Sequence, residues 1–337
     1  MPSLETLVAA ILFGGLTLYV LSGGADFGGG VWDIFASGPR RQAQRDTIAH
    51  AIAPIWEANH VWLIFVIVLL FMGFPKAYAT ISIALHIPLV LLLLGIVMRG
   101  SAFVFRTYDV REQRTRRRWA VLFAGSSVVS PVMLGVIVGA VTSGTIRVDT
   151  ATGRVQTDYV SSWLGLYPFT VGLFALALFA FLAAVYLTLE TDQRPLQDDF
   201  RLRALVAQAV LVLLALASLA LSTTGAPMIG FRMAAAWWGL PLQLLAAAAT
   251  LGTVWALWRR RFALARLMAV AEAVLILWGW ALAQYPFLVA PDLTVDSAAA
   301  PPAVLAALLA AVLAGAVVLF PSLAYLYRVF KARRRTV

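Results

Sequence analysis

The chain of 337 residues contains no cysteine. Disulfides, thiolate metal sites and covalent thioether attachment of haem are therefore excluded by the sequence itself. Charge is also scarce, since 12% of the residues are Asp, Glu, Lys or Arg while 62% are apolar. A mean hydropathy of +0.88 is incompatible with a water-soluble domain of this size, so lipid must be the solvent for most of the chain.

The long apolar runs predict membrane-spanning helices. Hydrocarbon offers no hydrogen-bond partners, so each spanning segment must satisfy its own backbone, and runs of about 20 apolar residues do so as helices. We predict an all-α polytopic membrane protein, with residues 1–337 in one membrane domain and about nine transmembrane helices. The predicted spans are 4–22, 51–72, 77–103, 119–141, 163–189, 204–222, 234–258, 262–288 and 303–325.

The basic residues indicate the orientation. The net charge is +10, but the arginines lie in short loops between apolar runs, so they are topology signals and do not predict nucleic-acid binding. The positive-inside rule predicts a cytoplasmic location for alternate loops and for the C-terminal tail, and an N-terminus outside. No small-residue cleavage pattern follows the first apolar run, which predicts a retained first span. The loops and tail concerned contain Arg40, Arg41 and Arg45; Arg111, Arg114 and Arg116–Arg118; Arg259–Arg261; and Arg328, Lys331 and Arg333–Arg335.

The second predicted span carries an unusual set of ionisable residues. Read as one helix, it brings His50 and Glu57 within about 20° of each other and His60 within about 60°, so all three share a face that Asp46 extends. Glu57 would lie about 10 Å inside the membrane. A polar stripe that enters from the cytoplasm suits proton uptake, because a carboxyl group at that depth is costly to keep ionised. The alternative is that Glu57 pairs with Arg99 and only ties helices together.

A glycine-rich segment, LSGGADFGGGVWDIF, follows the first predicted span. Gly24 and Gly28 form a small-xxx-small face that predicts close helix packing. Asp26 is then expected at the cytoplasmic mouth of the bundle, either as part of a proton path or as a helix terminus near lipid headgroups. Arg99, at the cytoplasmic end of the third span, is expected to extend towards the headgroups.

Two further readings remain open at the sequence level. His60 and His86 on neighbouring antiparallel helices could together ligate a haem, although the later spans offer no strong ligands. A secondary transporter or proton-conducting protein is the second alternative, but its usual internal repeat is missing because the polar residues are concentrated in one half.

Several segments resemble subunit II of the cytochrome bd-type quinol oxidases. They run in the order of that family through most of the chain, and the most specific is IAPIWEANHVWLI. The others are GGADFGGGVWDIF, GFPKAYATI, MRGSAFVFR, SPVMLGVIVGA, YPFTVGLFALALFAFLAAVYL and AQYPFLVAP.

The resemblance implies a nine-helix subunit, built as two four-helix bundles and one peripheral helix, in a bacterial or archaeal plasma membrane. It implies a larger partner, subunit I, which carries haem b together with haem d or a further haem b, and small single-helix subunits in some complexes. This chain would hold no metal, haem or catalytic residue, while the complex oxidises quinol and reduces dioxygen to water with protons from the cytoplasm.

The resemblance also implies roles for single residues. Glu57 matches the acidic residue of the family's W-D/E-x-N motif, which is proposed to line a proton path. Trp56 matches a residue that contacts a quinone in some members, and Asn59 belongs to the same motif. The chain departs from the family at Gly23, where many members have an acidic residue, and at His60, where Gln or Glu is common.

Overall fold

The computed structural model describes residues 3–52, 56–108, 113–149 and 152–332, and it leaves out the side chains of 56–58, 106–108, 113–117, 323 and 326–332. Helices dominate this part of the chain. The helices are α1 (Leu4–Ile34), α2 (Arg41–Ile52), α3 (Trp56–Gly73), α4 (Pro75–Ala84), α5 (His86–Tyr108), α6 (Gln113–Ser143), α7 (Leu166–Leu187), α8 (Arg194–Gly225), α9 (Pro227–Ala235), α10 (Gly239–Trp258), α11 (Phe262–Gln284), α12 (Val295–Ala298) and α13 (Pro302–Ala332).

Eight helices of the described chain are long and apolar enough to cross a membrane, and a ninth span is possible where α3 and α4 follow each other with a bend of 115°. The predicted all-α, multi-pass class is confirmed. The exceptions to it are two short antiparallel hairpins, β1 (Arg147–Val148) with β2 (Val155–Gln156), and β3 (Phe287–Val289) with β4 (Leu293–Thr294).

The third span differs from the predicted one, and the second is described in part. For the second, the structure describes α2 up to Ile52 and α3 from Trp56, and residues 53–55 between them lie outside the described part of the chain. The third is α5 alone, since α4 turns away sharply from α3 before α5 begins at His86. The predicted spans do separate at Pro75, where α4 begins, and proline there lacks the N–H that a continuous helix needs. Hydropathy misses the break at Leu85, between α4 and α5, because its neighbours are apolar.

The helix contacts form two groups, and helix α7 lies between them. In the first group α1 packs against α3 and α6, and α5 packs against α6; in the second, α7, α8, α10 and α11 pack in sequence. Helix α7 lies between the groups and contacts both α1 and α6. Helix α13 lies outside, against α1 and α3. This arrangement is compatible with two four-helix bundles and a peripheral helix.

Ion pairs lie at both ends of the helix array. At one end, which we call the basic end, ion pairs join Arg40 to Asp199 and Arg260 to Asp198. At the opposite end the hairpins meet, and Arg147 pairs with Asp292. The basic end is the one that the sequence assigns to the cytoplasm, and that orientation stays a prediction.

Close contact between α1 and α7 depends on glycine. The backbone at Gly28 lies directly against the carbonyl oxygen of Phe179, and a Cβ atom added at Gly24 would come within 2.7 Å of Leu182. The residues 177–187 of α7 are nearly all buried as a result. Gly28 therefore faces the backbone of α7 and Gly24 faces the side chain of Leu182, the close packing typical of small-xxx-small segments.

Candidate functional site

A buried ion pair joins α1 to α5. Arg99 donates from Nη1 to Oδ2 of Asp26 at 2.7 Å and from Nη2 to Oδ1 at 2.6 Å. It also donates to the backbone carbonyl of Asp26 at 2.8 Å and, from Nε, to the hydroxyl of Ser127 at 3.0 Å. The two side chains are 3% and 0% exposed. Such a pair has all its strong donors matched, which is the condition for keeping charge inside a membrane protein.

Two aromatic rings also contact the guanidinium of Arg99. Its guanidinium lies 4.8 Å from the ring centre of Phe27 and 4.9 Å from that of Phe123. Both distances are within the range of cation–π attraction. Arg99 is thereby fixed on every side.

The structure corrects two expectations for this pair. Asp26 does not lie at a mouth, because α1 continues through the glycine-rich segment to Ile34 and buries it completely. Arg99 does not extend to the headgroups, since its side chain turns inward to Asp26. Glu57 is not needed as its partner: the strong donors of Arg99 are already engaged.

Polar atoms continue from the ion pair towards α3. Ser22 donates to Oδ1 of Asn59 at 2.9 Å, and Asn59 is fully buried. Within the described chain, the hydroxyl of Tyr19, Nδ2 of Asn59 and Nδ1 of His60 are buried and have no hydrogen-bond partner. Buried polar atoms are normally satisfied, often by ordered water, so this grouping marks a polar interior region.

His60 borders a second space. Its ring lies 6.5 Å from that of Phe27, edge to face. It also lines an open cavity of about 450 Å³ whose other walls come from α5. The imidazole of His60 is therefore only partly buried, with the cavity along one side.

The expected polar stripe on one helix is described only in part. His50 lies on α2, where its Nδ1 contacts the carbonyl of Asp46 at 2.7 Å, and residues 53–55 between α2 and α3 lie outside the described residues. Trp56 and Glu57 begin α3, and their side chains also lie outside the described residues. The structure brings Asp26, Asn59 and His60 together, while a shared face with His50 and Glu57 stays a prediction.

A cavity of about 770 Å³ opens at that end between α1, α2, α5 and α6. Its polar lining includes Asp33, Arg45 and Asp46, and Nε of Arg45 lies 3.4 Å from Asp33. Phe123 lines the same cavity, and its ring also contacts the guanidinium of Arg99. The cavity therefore comes close to the ion pair.

His86 lies far from His60. It begins α5 near the opposite end and packs its ring 5.2 Å from Tyr159. His60 lies level with Ile96 and the residues after it, about 15 Å further along α5 at 1.5 Å per residue. The two cannot ligate one haem, and among the described residues no group of three His, Cys, Asp or Glu could hold a metal ion.

Sequence reasoning missed another buried carboxyl group. Glu272 on α11 is 2% exposed and is hydrogen-bonded to Gln208 and Thr250. The rule that singled out Glu57, an ionisable residue inside an apolar run, would have found it. It was overlooked because no histidine or second acid accompanies it in the sequence.

The fold and this site define a multi-pass helical membrane protein with an ion pair deep in its first helix group. Residues 4–330 match the family described as cytochrome bd terminal oxidase subunit II. The chain belongs to this family, as its motifs predicted.

Individual relatives agree with this assignment. The chain is 32% identical over 169 residues to the cytochrome bd ubiquinol oxidase subunit 2 of Bacillus subtilis, which covers 50% of this chain and 48% of the relative. It is 27% identical over 215 residues to the cytochrome bd-I ubiquinol oxidase subunit 2 of Escherichia coli, covering 64% of this chain and 54% of the relative. The aligned segments span about half the length of these two proteins.

A solved structure has the same fold. It is that of the bd oxidase from Geobacillus thermodenitrificans, with a TM-score of 0.82 and 22% identity, covering 98% of this chain and 99% of that chain. At this level of identity the likeness shows the fold alone.

Proposed function

We propose that this chain is the haem-free subunit of a bd-type quinol oxidase and supplies a proton route to a haem-bearing subunit I. The observation that carries the proposal is the group of buried polar atoms without partners at Tyr19, Asn59 and His60, beside the Asp26–Arg99 pair and near a cavity at the basic end. In a family of terminal oxidase subunits, an open cavity followed by buried polar groups suits the delivery of protons to a reaction that consumes them.

The reaction sets what must be delivered. Two quinols release four electrons and four protons on oxidation, and one dioxygen takes up four electrons and four protons to give two waters. The haems of subunit I would carry the electrons and bind the dioxygen. Protons taken from the cytoplasm and released from quinol on the other side would generate a proton motive force without pumping.

We assign the transfer of protons to Glu57, with His60 assisting and His50 at the entrance. Asp26 has both carboxylate oxygens occupied by Arg99, so a relay through it would have to break the ion pair. Asp26 and Arg99 therefore act as fixed charges that orient the polar region around Asn59. A quinone held by this subunit would contact Trp56.

The first experiment tests the assignment to an oxidase complex. The tagged chain is purified from its native membrane in mild detergent, and its subunits and absorption spectrum are recorded. We expect haem bands that accompany a larger subunit, with or without small single-helix subunits, and that are missing when this chain is expressed alone. A colourless single polypeptide would favour the transporter, and haem retained by this chain alone would contradict the haem-free role.

The second experiment tests Glu57. Replacing Glu57 with Ala should slow oxygen consumption by roughly 10²-fold, the lower end of what a positioned proton-transfer group contributes, with haem content unchanged. Glu57→Asp retains a carboxyl group and should recover most of the turnover. Loss of assembly in Glu57→Ala would indicate a structural role, and normal turnover would exclude Glu57 from the route.

A further inference from the structure

A second polar cluster lies in the other helix group, away from the Asp26–Arg99 pair. It joins three spanning helices through Glu272 on α11, Gln208 on α8 and Thr250 on α10. Glu272 and Gln208 are each 2% exposed. Glu272 is ten residues from the start of α11 at the basic end, about 15 Å along the helix axis, so the cluster lies near the middle of the span.

Only one of the two carboxyl oxygens of Glu272 accepts hydrogen bonds from the described residues. Its Oε1 accepts from Nε2 of Gln208 at 2.8 Å and from the hydroxyl of Thr250 at 2.8 Å. Its Oε2 is buried without a partner among the described residues, and so is Oε1 of Gln208. Two facing side chains thus each keep one buried acceptor atom unmatched, an arrangement that is rare and costly in a protein interior.

No cation compensates the carboxyl group in the described part of the chain. Glu272 has no ion pair there, and the basic groups on the helices around it are engaged elsewhere. The nearest on its own helix, Arg266, lies 5.1 Å over the ring of Tyr186. Several other charged groups on the packed helices have contacts of their own: Arg232 with the carbonyls of Ala283 and Tyr285, Asp26 with Arg99, Arg203 with Gln44, Arg201 with Asp198, and Asp198 and Asp199 with Arg260 and Arg40.

We propose that Glu272 is a proton-binding site, held as a neutral carboxylic acid that closes a two-bond pair with the amide of Gln208. A proton on Oε2 donates to Oε1 of Gln208, while Oε1 of the acid accepts from Nε2 of the same amide. One proton turns two unmatched acceptors into a donor and an acceptor. It also removes the uncompensated charge from the middle of the membrane, where a lone carboxylate is expensive.

Thr250 sets which oxygen carries the proton. Its hydroxyl already donates to Oε1, so that oxygen has two donors, and the proton is left to Oε2. The site is independent of the proposed oxidase role, since it shares no residue with the polar region of the first helix group. Binding of the proton strengthens the contact between α8, α10 and α11, and its removal at alkaline pH would weaken that contact.

Infrared spectroscopy tests the proposal on the complex purified through a tag on this chain. At pH 7 we expect the carbonyl-stretch band of a protonated carboxylic acid, shifted when the sample is moved to D₂O and missing in Glu272→Gln. The matched control is Glu190→Gln, in the turn after α7, which should leave this band unchanged. Glu272→Gln preserves the shape of the side chain and should assemble normally.

Two further measurements keep the test independent of that variant. In Gln208→Leu the acid loses its amide partner, so its carbonyl band should move to higher frequency. In the wild type, alkaline titration should replace the acid band with a carboxylate band. A carboxylate band already present at pH 7 and lost in Glu272→Gln would overturn the proposal, and its response to Na⁺ would indicate a cation site instead. An acid band that both variants leave unchanged would also overturn it.

Discussion

Substitution of Arg99 should strongly reduce the stability of the complex. Replacing Arg99 with Met leaves the carboxylate of Asp26 buried and unpaired, which costs about 3–5 kcal/mol in comparable buried pairs. We expect a large fall in the midpoint of thermal unfolding of the purified complex. The double variant Asp26→Asn/Arg99→Gln should lose much less stability than the sum of its single variants, because it removes both charges together.

An exposed ion pair provides the control for Arg99. The side chain of Arg40 is 46% exposed where it meets Asp199, so solvent screens the pair. Arg40→Met should change the unfolding midpoint little. Additive effects of the Asp26 and Arg99 substitutions would mean that the pair contributes no coupling energy.

The sequence alone indicates single charged residues better than their partners. Asp26 and Arg99 both attract notice as ionisable groups in apolar surroundings, but 73 positions separate them, and their pairing depends on how α1 and α5 pack. Pairing of Arg99 with Glu57 was the alternative considered from the sequence, and pairing with Asp26 was not considered. Glu272 shows the converse failure, because its neighbours Gln208 and Thr250 are uncharged and gave no signal.

At the scale of helices, Gly28 governs how closely α1 approaches α7. Gly28→Ala places a methyl group against the carbonyl oxygen of Phe179, which is backbone and cannot rotate away. Overpacking of this kind costs about 1–3 kcal/mol. We therefore expect a lower thermal midpoint and less assembled complex, measured by size-exclusion chromatography with fluorescence detection.

Gly14 on the same helix is the matched control. A Cβ atom there would meet no atom within 4 Å, and alanine favours a helix by up to about 1 kcal/mol over glycine. Gly14→Ala should leave stability equal or slightly higher. If Gly28→Ala behaves in the same way, α1 and α7 are able to separate without loss.

Helix number and type follow from hydropathy, whereas not every break between apolar helices does. The separation at Pro75 is predicted, because proline there marks the start of α4. The break at Leu85, between α4 and α5, lies inside the span predicted as 77–103. A window of about 20 residues averages over a break of one residue.

At the scale of the whole molecule, one ion pair ties together the two hairpins at the opposite end. Asp292 accepts from Arg147 at 2.9 and 3.0 Å and from the backbone N–H of Val148 at 2.7 Å. Although partial burial opposes the charge, these hydrogen bonds hold the pKa of Asp292 below its ordinary value of 3.8. The carboxylate therefore stabilises the folded hairpins above that value, and the contribution is lost as the pH falls through the lowered pKa.

Asp292→Asn should accordingly loosen this end at neutral pH. We expect faster hydrogen–deuterium exchange in the peptide that contains Val148, measured by mass spectrometry at pH 7. The difference from the wild type should shrink as the pH falls below 3.8, where the wild-type carboxylate takes up a proton as well. Asp296→Asn, at an exposed position in the same region, should exchange like the wild type, and equal exchange in Asp292→Asn would show that the pair does not hold the hairpins.

The glycine contacts along α7 also decide where water can travel. Gly28 of α1 brings this helix to backbone distance from α7, and Gly135, Gly139 and Gly172 do the same where α6 meets α7. At these contacts no water molecule fits between the helices. We therefore expect a hydrated passage through the first helix group to run away from these contacts, on the side of α3 and α5.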